Sequence, residues 1–129
     1  MAESILLKNA KAFAVEIVKL CKSVSAEKNE YVLTKQLLRS GTSIGANIHE
    51  SKYAQGTADF ISKMQIALKE CYETEYWLEL LESTDYISPE TCMKTKHVCG
   101  EIRRMLISSI NTSKEKLGEA EKTARRSRI

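Results

Sequence analysis

Apolar residues recur in steps of three and four in four separate segments of this chain, and no other feature constrains the fold as strongly. Such steps place one apolar stripe along a helix. The stripes run from Leu6 to Val24, Leu33 to Ile48, Phe60 to Leu81 and Val98 to Leu117. The 129 residues include five glycines and one proline, too few for a sheet that turns about every ten residues. The sequence therefore predicts an all-α chain of one domain.

Capping and turn residues divide the chain into four helices. Ser4 is a candidate N-cap, and the polar segment 25–30 separates the first helix from the second. Gln55-Gly56-Thr57 ends the second helix and starts the third, and Ser88-Pro89 starts the fourth. We expect an up-down-up-down antiparallel four-helix bundle at 1–121, with helices at about 4–25, 31–53, 57–83 and 89–120.

The net charge of +3 is unevenly distributed along the chain. Residues 1–88 carry ten basic and twelve acidic side chains, whereas residues 89–129 carry ten basic and five acidic ones. The segment 122–129 holds four basic residues and no acidic one, so we expect it to be a disordered basic tail. Ten side chains are candidates for contact with nucleic-acid phosphates. They are Lys94, Lys96, Arg103, Arg104, Lys114, Lys116, Lys122, Arg125, Arg126 and Arg128.

A solvated helix face is the alternative interpretation of the basic residues in the fourth helix. The third helix is acidic, so part of this positive charge is expected to pair with it or with a neighbouring subunit. No stretch approaches eighteen uncharged apolar residues, and Glu3 and Lys8 interrupt the first residues. The expectation is a cytoplasmic protein with no membrane partner.

Histidines and cysteines give little support for a metal or catalytic site. A ferritin-like centre needs Glu-x-x-His pairs, and neither His49 nor His97 has a glutamate three residues before it. Cys92 and Cys99 lie one heptad apart, about 10.5 Å along a helix, too far to share a tetrahedral zinc ion. We interpret the cysteines as free core thiols. The chain is expected to have no cofactor, no metal and no enzymatic activity.

The middle of the second helix combines small residues with a polar stripe. The small residues between 40 and 46 allow another helix to approach closely. Arginine and carboxylates on facing helices form networks that fix the register of a bundle or its subunit contacts. A ligand or nucleic-acid pocket is the alternative. The polar set consists of Arg39, Ser40, Ser43, Asn47 and Glu50, with Glu70 and Glu73 on the third helix.

Several segments resemble a known family. Residues 36–50, Ala58-Asp-Phe60, residues 66–78 and Asp85-Tyr-Ile87 are similar to the bacterial four-helix bundle proteins, also called 23S rRNA-intervening-sequence proteins. The most specific part is the pattern Arg-Ser-x-x-Ser-Ile-x-x-Asn-Ile-x-Glu, which starts at Arg39. The similarity spans about residues 5–115.

The resemblance implies properties that residue spacing does not. Family members form four-helix bundles that assemble into ring-shaped homopentamers, and some are encoded within inserted segments of large-subunit ribosomal RNA genes. A related branch, the accessory variability proteins of diversity-generating retroelements, binds nucleic acid and a reverse transcriptase. No catalytic activity is established in the family. Two functions are therefore expected as alternatives: electrostatic binding of structured RNA or DNA, and a scaffold for a protein such as a reverse transcriptase.

Overall fold

Four α-helices make up the fold. The computed structural model describes residues 4–128, and no strand occurs among them. Each helix packs against the next one in the chain, and the fourth also contacts the first. The prediction of an all-α chain of four helices is confirmed. The helices are α1 (Ile5–Lys28), α2 (Val32–Ser51), α3 (Thr57–Ser83) and α4 (Pro89–Ser127).

Serine caps start two of the helices where the sequence indicates. The hydroxyl of Ser4 accepts a hydrogen bond from the backbone N–H of Leu7 at 3.1 Å. Ser88 accepts one from the N–H of Thr91, also at 3.1 Å, and Pro89 occupies the first turn of α4. Both caps satisfy backbone donors that a helix start leaves without an internal partner.

A carboxylate that the sequence analysis did not single out starts α2. The first helix continues to Lys28 and ends where Asn29 adopts a left-handed backbone with φ 54°. Glu30 follows it and is only 8% exposed. Its carboxylate accepts hydrogen bonds of 2.8 to 3.1 Å from the backbone N–H groups of Val32, Leu33 and Thr34.

The C-terminal segment differs from the prediction. Helix α4 extends to Ser127 rather than ending near residue 120, so residues 122–127 are helical and not a disordered tail. Helix-forming alanine, glutamate, lysine and arginine predominate after Gly118, and no proline interrupts them. Arg125 and Arg126 in the last turn also complement the helix dipole. Residues 119–128 are exposed, so this end of α4 lies in solvent.

The core follows the predicted stripes, with two exchanges between adjacent positions in α1. Leu7 and Cys21 are buried there, whereas Leu6 and Leu20, which the stripe predicts for the core, lie partly exposed beside it. In α4, steps of three and four from Ile102 reach Met105 and Leu106, and Leu106 is the one that is fully buried.

Glycine allows α2 to approach α1 closely at one position. A Cβ atom at Gly41 would lie 2.8 Å from Cγ2 of Ile17, closer than two non-bonded carbon atoms can approach. A Cβ atom at Gly45 would lie 3.5 Å from the carbonyl oxygen of Ala10, which is an ordinary contact. The close approach expected from the small residues of the second helix is therefore centred on Gly41.

All four cysteines are free and buried, as predicted. The thiol of Cys21 donates to the carbonyl oxygen of Thr34 at 3.4 Å, and that of Cys99 donates to the carbonyl of Cys71 at 3.5 Å. Burial, with a smaller contribution from the charge of Glu30, raises the pKa of Cys21 to about 11. This thiol is therefore protonated at neutral pH and acts as a small core residue.

Candidate functional site

Arginine–carboxylate pairs join the polar stripe of α2 to α3. Arg39 forms an ion pair with Glu73, and its Nη1 lies 3.5 Å from Oε2 of Glu70. One end of the same stripe is fixed by Glu50, whose Oε2 lies 3.5 Å from Nζ of Lys63. These contacts set the register of α2 against α3 at two points. Each pair is partly exposed, which limits its contribution to stability.

Other members of the polar set bond differently. The hydroxyl of Thr74 on α3 donates to Oγ of Ser40 at 3.0 Å, and both side chains are fully buried. Ser43 donates instead to the carbonyl of Arg39 at 2.6 Å, and Asn47 donates to the carbonyl of Ser43 at 2.8 Å. Ser43 and Asn47 therefore bond within their own helix, and the predicted set does not converge on one pocket.

Two of the ten candidate basic residues pair with the acidic third helix. Nζ of Lys96 lies 2.5 Å from Oε1 of Glu79, and Nε of Arg103 lies 3.0 Å from Oε1 of Glu75. The hydrogen bond to Glu79 raises the pKa of the Lys96 ammonium, and that to Glu75 raises the pKa of the Arg103 guanidinium. Lys96 and Arg103 therefore pair within the bundle, which is the alternative to phosphate contact that the acidic third helix suggested.

The other eight candidate basic residues are exposed and form no ion pair within residues 4–128. They do not all lie on one side of the helix. At about 100° per residue, Lys94 and Lys116 fall on the side away from the main group. The basic face of α4, within an arc of about 100°, comprises Lys96, Arg103, Arg104, Lys114, Lys122 and Arg125, with Glu121 as an acidic residue in the same arc.

Side chains that sequence reasoning missed lie beside this face. The guanidinium carbon of Arg103 lies 5.4 Å from the ring centroid of Tyr72 on α3. A Cβ atom at Gly100 would lie 3.4 Å from Nη2 of Arg103 and 3.5 Å from Nη1 of Arg104, so a terminal nitrogen of each arginine lies beside this glycine. The only signal in the sequence was a glycine inside a helical pattern, one turn before two consecutive arginines.

Metal-binding and membrane-spanning features have no support in the described part of the chain. No group of three or more histidine, cysteine or acidic side chains there is arranged to hold a metal ion. Cys92 and Cys99 are buried and His97 is exposed, so these three do not converge. Among residues 4–128, no helix is both long enough and apolar enough to cross a membrane.

Comparisons with known proteins agree with the arrangement of helices. A family model described as 23S rRNA-intervening sequence protein matches residues 2–108. A crystal structure of a protein of unknown function from the S23 ribosomal protein family of Bacteroides thetaiotaomicron VPI-5482 is 52% identical, with a TM-score of 0.81. That match covers 82% of this chain and 98% of the other. No curated protein matches the chain significantly. The family match includes the polar stripe and Gly100 but ends before Lys114.

Proposed function

The chain belongs to the 23S rRNA-intervening sequence protein family, and on this basis we propose that it is a non-enzymatic, oligomeric helical bundle that binds structured nucleic acid. The observation that carries the proposal is the basic face of α4, of which Arg104, Lys114, Lys122 and Arg125 are exposed, and which continues to the solvent-exposed end of that helix. Phosphate contacts from such a face supply affinity without reading sequence.

The length of α4 supports contact with a nucleic-acid helix. It has 39 residues, against 27 or fewer in the others, and is about 58 Å long at 1.5 Å per residue. Its last turns carry Lys122, Arg125, Arg126 and Arg128 and face solvent. Double-stranded RNA is bound mainly through its shape, its phosphates and its 2′-hydroxyls. A projecting basic helix fits the phosphate part of this chemistry.

Replacing Arg125, Arg126 and Arg128 together with alanine is expected to weaken binding and to flatten its salt dependence. For duplex nucleic acid, the plot of log K against log salt has a negative slope. The magnitude of this slope decreases by about 0.9 for each phosphate that the variant no longer neutralises. Fluorescence anisotropy of a labelled structured RNA and a duplex DNA, at low and physiological salt, measures the slope. The control replaces three exposed lysines outside α4, Lys8, Lys22 and Lys35, with alanine.

Two outcomes of this experiment would count against the proposal. An unchanged slope in the arginine variant would rule out a role for the end of α4. Absence of binding by the wild-type protein at low salt would overturn nucleic-acid binding altogether. It would favour the alternative function, an interaction scaffold for a protein such as a reverse transcriptase.

The proposal includes an antiparallel, up-down-up-down order of the helices. Rising residue numbers in α2 meet falling numbers in α1, since Gly41 lies against Ile17 and Gly45 against Ala10. The same holds between α3 and α4, where the Cys92 thiol meets the carbonyl of Leu78 and the Cys99 thiol meets that of Cys71. These pairings support antiparallel neighbours at both places.

Self-association into a ring-shaped homopentamer is also part of the proposal. A ring needs two different apolar faces, because each subunit contacts its two neighbours through different surfaces. Val98 on α4 is 38% exposed and lines two cavities of about 330 and 270 Å³ between α1 and α4. Leu38 on α2 and Ile66 on α3 are also exposed. These two residues are candidates for the second apolar face.

Light scattering coupled to size-exclusion chromatography is expected to give about five times the 14.6 kDa chain mass. Val98→Glu places a charge in the proposed contact and is expected to reduce the measured mass to that of the monomer. Met93→Glu is the control, because Met93 is also exposed on α4 but does not line these cavities. A monomeric wild-type protein would contradict the ring.

A further inference from the structure

The guanidinium groups of Arg103 and Arg104 lie close to the same glycine, although only one carboxylate compensates their two positive charges. Glu75 accepts a hydrogen bond from Nε of Arg103 at 3.0 Å and compensates one of the two positive charges. Arg104 forms no ion pair with a carboxylate within the described residues. A terminal nitrogen of each arginine therefore lies beside Gly100, and the pair keeps a net positive charge. Because like charges repel, such convergence is most favourable when an anion lies between them.

Glycine at position 100 is part of this arrangement. It is buried, and a Cβ atom there would lie 3.4 Å from Nη2 of Arg103 and 3.5 Å from Nη1 of Arg104, both of which belong to its own helix. A side chain at this position would therefore narrow the space between the two groups, which glycine leaves open for an anion. Planar guanidinium groups arranged in pairs recognise phosphate oxygens through several parallel hydrogen bonds. A phosphate group is the anion that this site fits.

Aromatic rings extend the site along α3. Tyr72, beside the Arg103 guanidinium, is 50% exposed, and Tyr76 is 56% exposed one turn further along. The two residues are about 6 Å apart along the helix axis. Tyr76 packs edge-on against Trp77 with the ring centroids 5.0 Å apart, which fixes its orientation. Exposed aromatic rings beside basic groups are the surface on which unpaired bases stack.

We propose that Arg103, Arg104, Tyr72 and Tyr76 bind an unpaired segment of nucleic acid, with a phosphate between the guanidinium groups and successive bases on the tyrosine rings. The inference rests on the proposed function and adds to it a site and a preference for single strands. A duplex keeps its bases stacked inside and offers none to the tyrosines. The end of α4 and this site would then contact paired and unpaired parts of one structured molecule.

The test compares a labelled oligothymidine with a blunt duplex of equal length in fluorescence anisotropy. Tyr72→Ala combined with Tyr76→Ala is expected to weaken oligothymidine binding about tenfold or more and to leave duplex binding within about twofold. Phenylalanine at both positions is expected to restore oligothymidine binding, because stacking requires the ring and not the hydroxyl. Circular dichroism and light scattering check that each variant keeps its helices and its mass.

Gly100→Ala tests the guanidinium pair without removing a charge. The added methyl group takes up part of the space between Arg103 and Arg104 and is expected to weaken oligothymidine binding several-fold. Gly118→Ala is the matched control, because a Cβ atom there meets nothing within 4 Å.

The outcomes separate this inference from the function on which it rests. Wild-type binding of oligothymidine with no effect of the tyrosine or Gly100 variants would overturn the site and leave electrostatic binding intact. Absence of binding to both probes at low salt would overturn both. A change of assembly mass in the tyrosine variants, without a change in oligothymidine affinity per chain, would overturn the site and show that this face contacts protein.

Discussion

Gly41→Ala is expected to destabilise the protein even though alanine is the better helix former. The new Cβ atom would lie 2.8 Å from Cγ2 and 3.0 Å from Cγ1 of Ile17. Ile17 is fully buried and branched at Cβ, so it has little freedom to move away. Overpacking of this kind costs about 1–3 kcal/mol, whereas replacing a helical glycine contributes about 1 kcal/mol. The two effects together predict a net loss of up to about 2 kcal/mol in urea unfolding, with about 1 kcal/mol in the middle of this range.

Two other glycines in the helices provide matched controls for this substitution. Gly118→Ala adds the same methyl group in open space and is expected to stabilise α4 by about 0.5–1 kcal/mol. In Gly45→Ala the new Cβ atom would lie 3.5 Å from the carbonyl oxygen of Ala10, so its change in stability should fall between those of the other two variants. Equal stability changes at positions 41 and 118 would show that α1 and α2 do not approach as closely as described.

A double variant isolates the contact itself. Ile17→Ala removes the two atoms that the new methyl group would strike. Combined with Gly41→Ala, it should cost less than the sum of the two single substitutions, because the methyl group partly fills the space left by isoleucine. If the stability losses of the two single variants simply add up in the double variant, the strain in Gly41→Ala does not come from contact with Ile17.

The sequence predicted the close approach of these helices but not the residue at its centre. Five small residues between 40 and 46 allow close packing anywhere in that segment. The stripe correctly places Ile17 in the core, but the residue of α2 that lies against it depends on how far the two helices slide along each other. Residue spacing within one helix carries no information about this alignment with its neighbour.

For the polar stripe of α2, residue spacing predicts which side chains share a face but not which partners they bond to. Spacing predicted carboxylates of α3 opposite Arg39, and the Arg39 guanidinium pairs with Glu70 and Glu73, which share one side of that helix. It did not predict that Ser43 and Asn47 bond to carbonyl oxygens one turn earlier in their own helix. Short hydroxyl and amide side chains have this local alternative, whereas a long arginine side chain reaches across to the next helix.

The arrangement around Arg103 and Arg104 could not be predicted from the sequence, for a different reason. Tyr72 is far from Arg103 in the chain and meets it only through the packing of α3 against α4, whereas Gly100 lies one turn before Arg103 in the same helix. Neither residue belongs to an apolar stripe or to a charge cluster. A lone helical glycine signals a cost in stability and not a function.

Glu30→Ala is expected to lower the free energy of unfolding by about 2 kcal/mol at neutral pH. The substitution leaves the first three backbone N–H groups of α2 without the carboxylate that accepts from them at 2.8 to 3.1 Å. Hydrogen bonds to a charged acceptor are stronger than those between neutral groups, and the site is largely shielded from water. Urea unfolding followed by circular dichroism measures the change, with the exposed Glu119→Ala as the control.

The stabilisation by Glu30 should also depend on pH in a defined direction. Burial raises the pKa of this carboxyl, but the hydrogen bonds from Leu33, Thr34 and Val32 outweigh burial, so its pKa in the folded protein lies below the usual value. The unfolded chain then binds the proton more tightly. The stabilisation is therefore complete above the unfolded pKa of about 4.3 and is lost as the pH falls through the lower folded value.

Glu30→Gln separates this titration from the loss of packing, because glutamine keeps the shape of the side chain and has no charge to lose. The difference in unfolding free energy between the wild-type protein and Glu30→Gln should stay constant from neutral pH down to about 5, and should shrink below about 4. Glu119→Gln should show no such change. A difference that stays constant through the acidic range would mean that the carboxylate charge contributes nothing to the start of α2, and that the three backbone donors require only an oxygen atom.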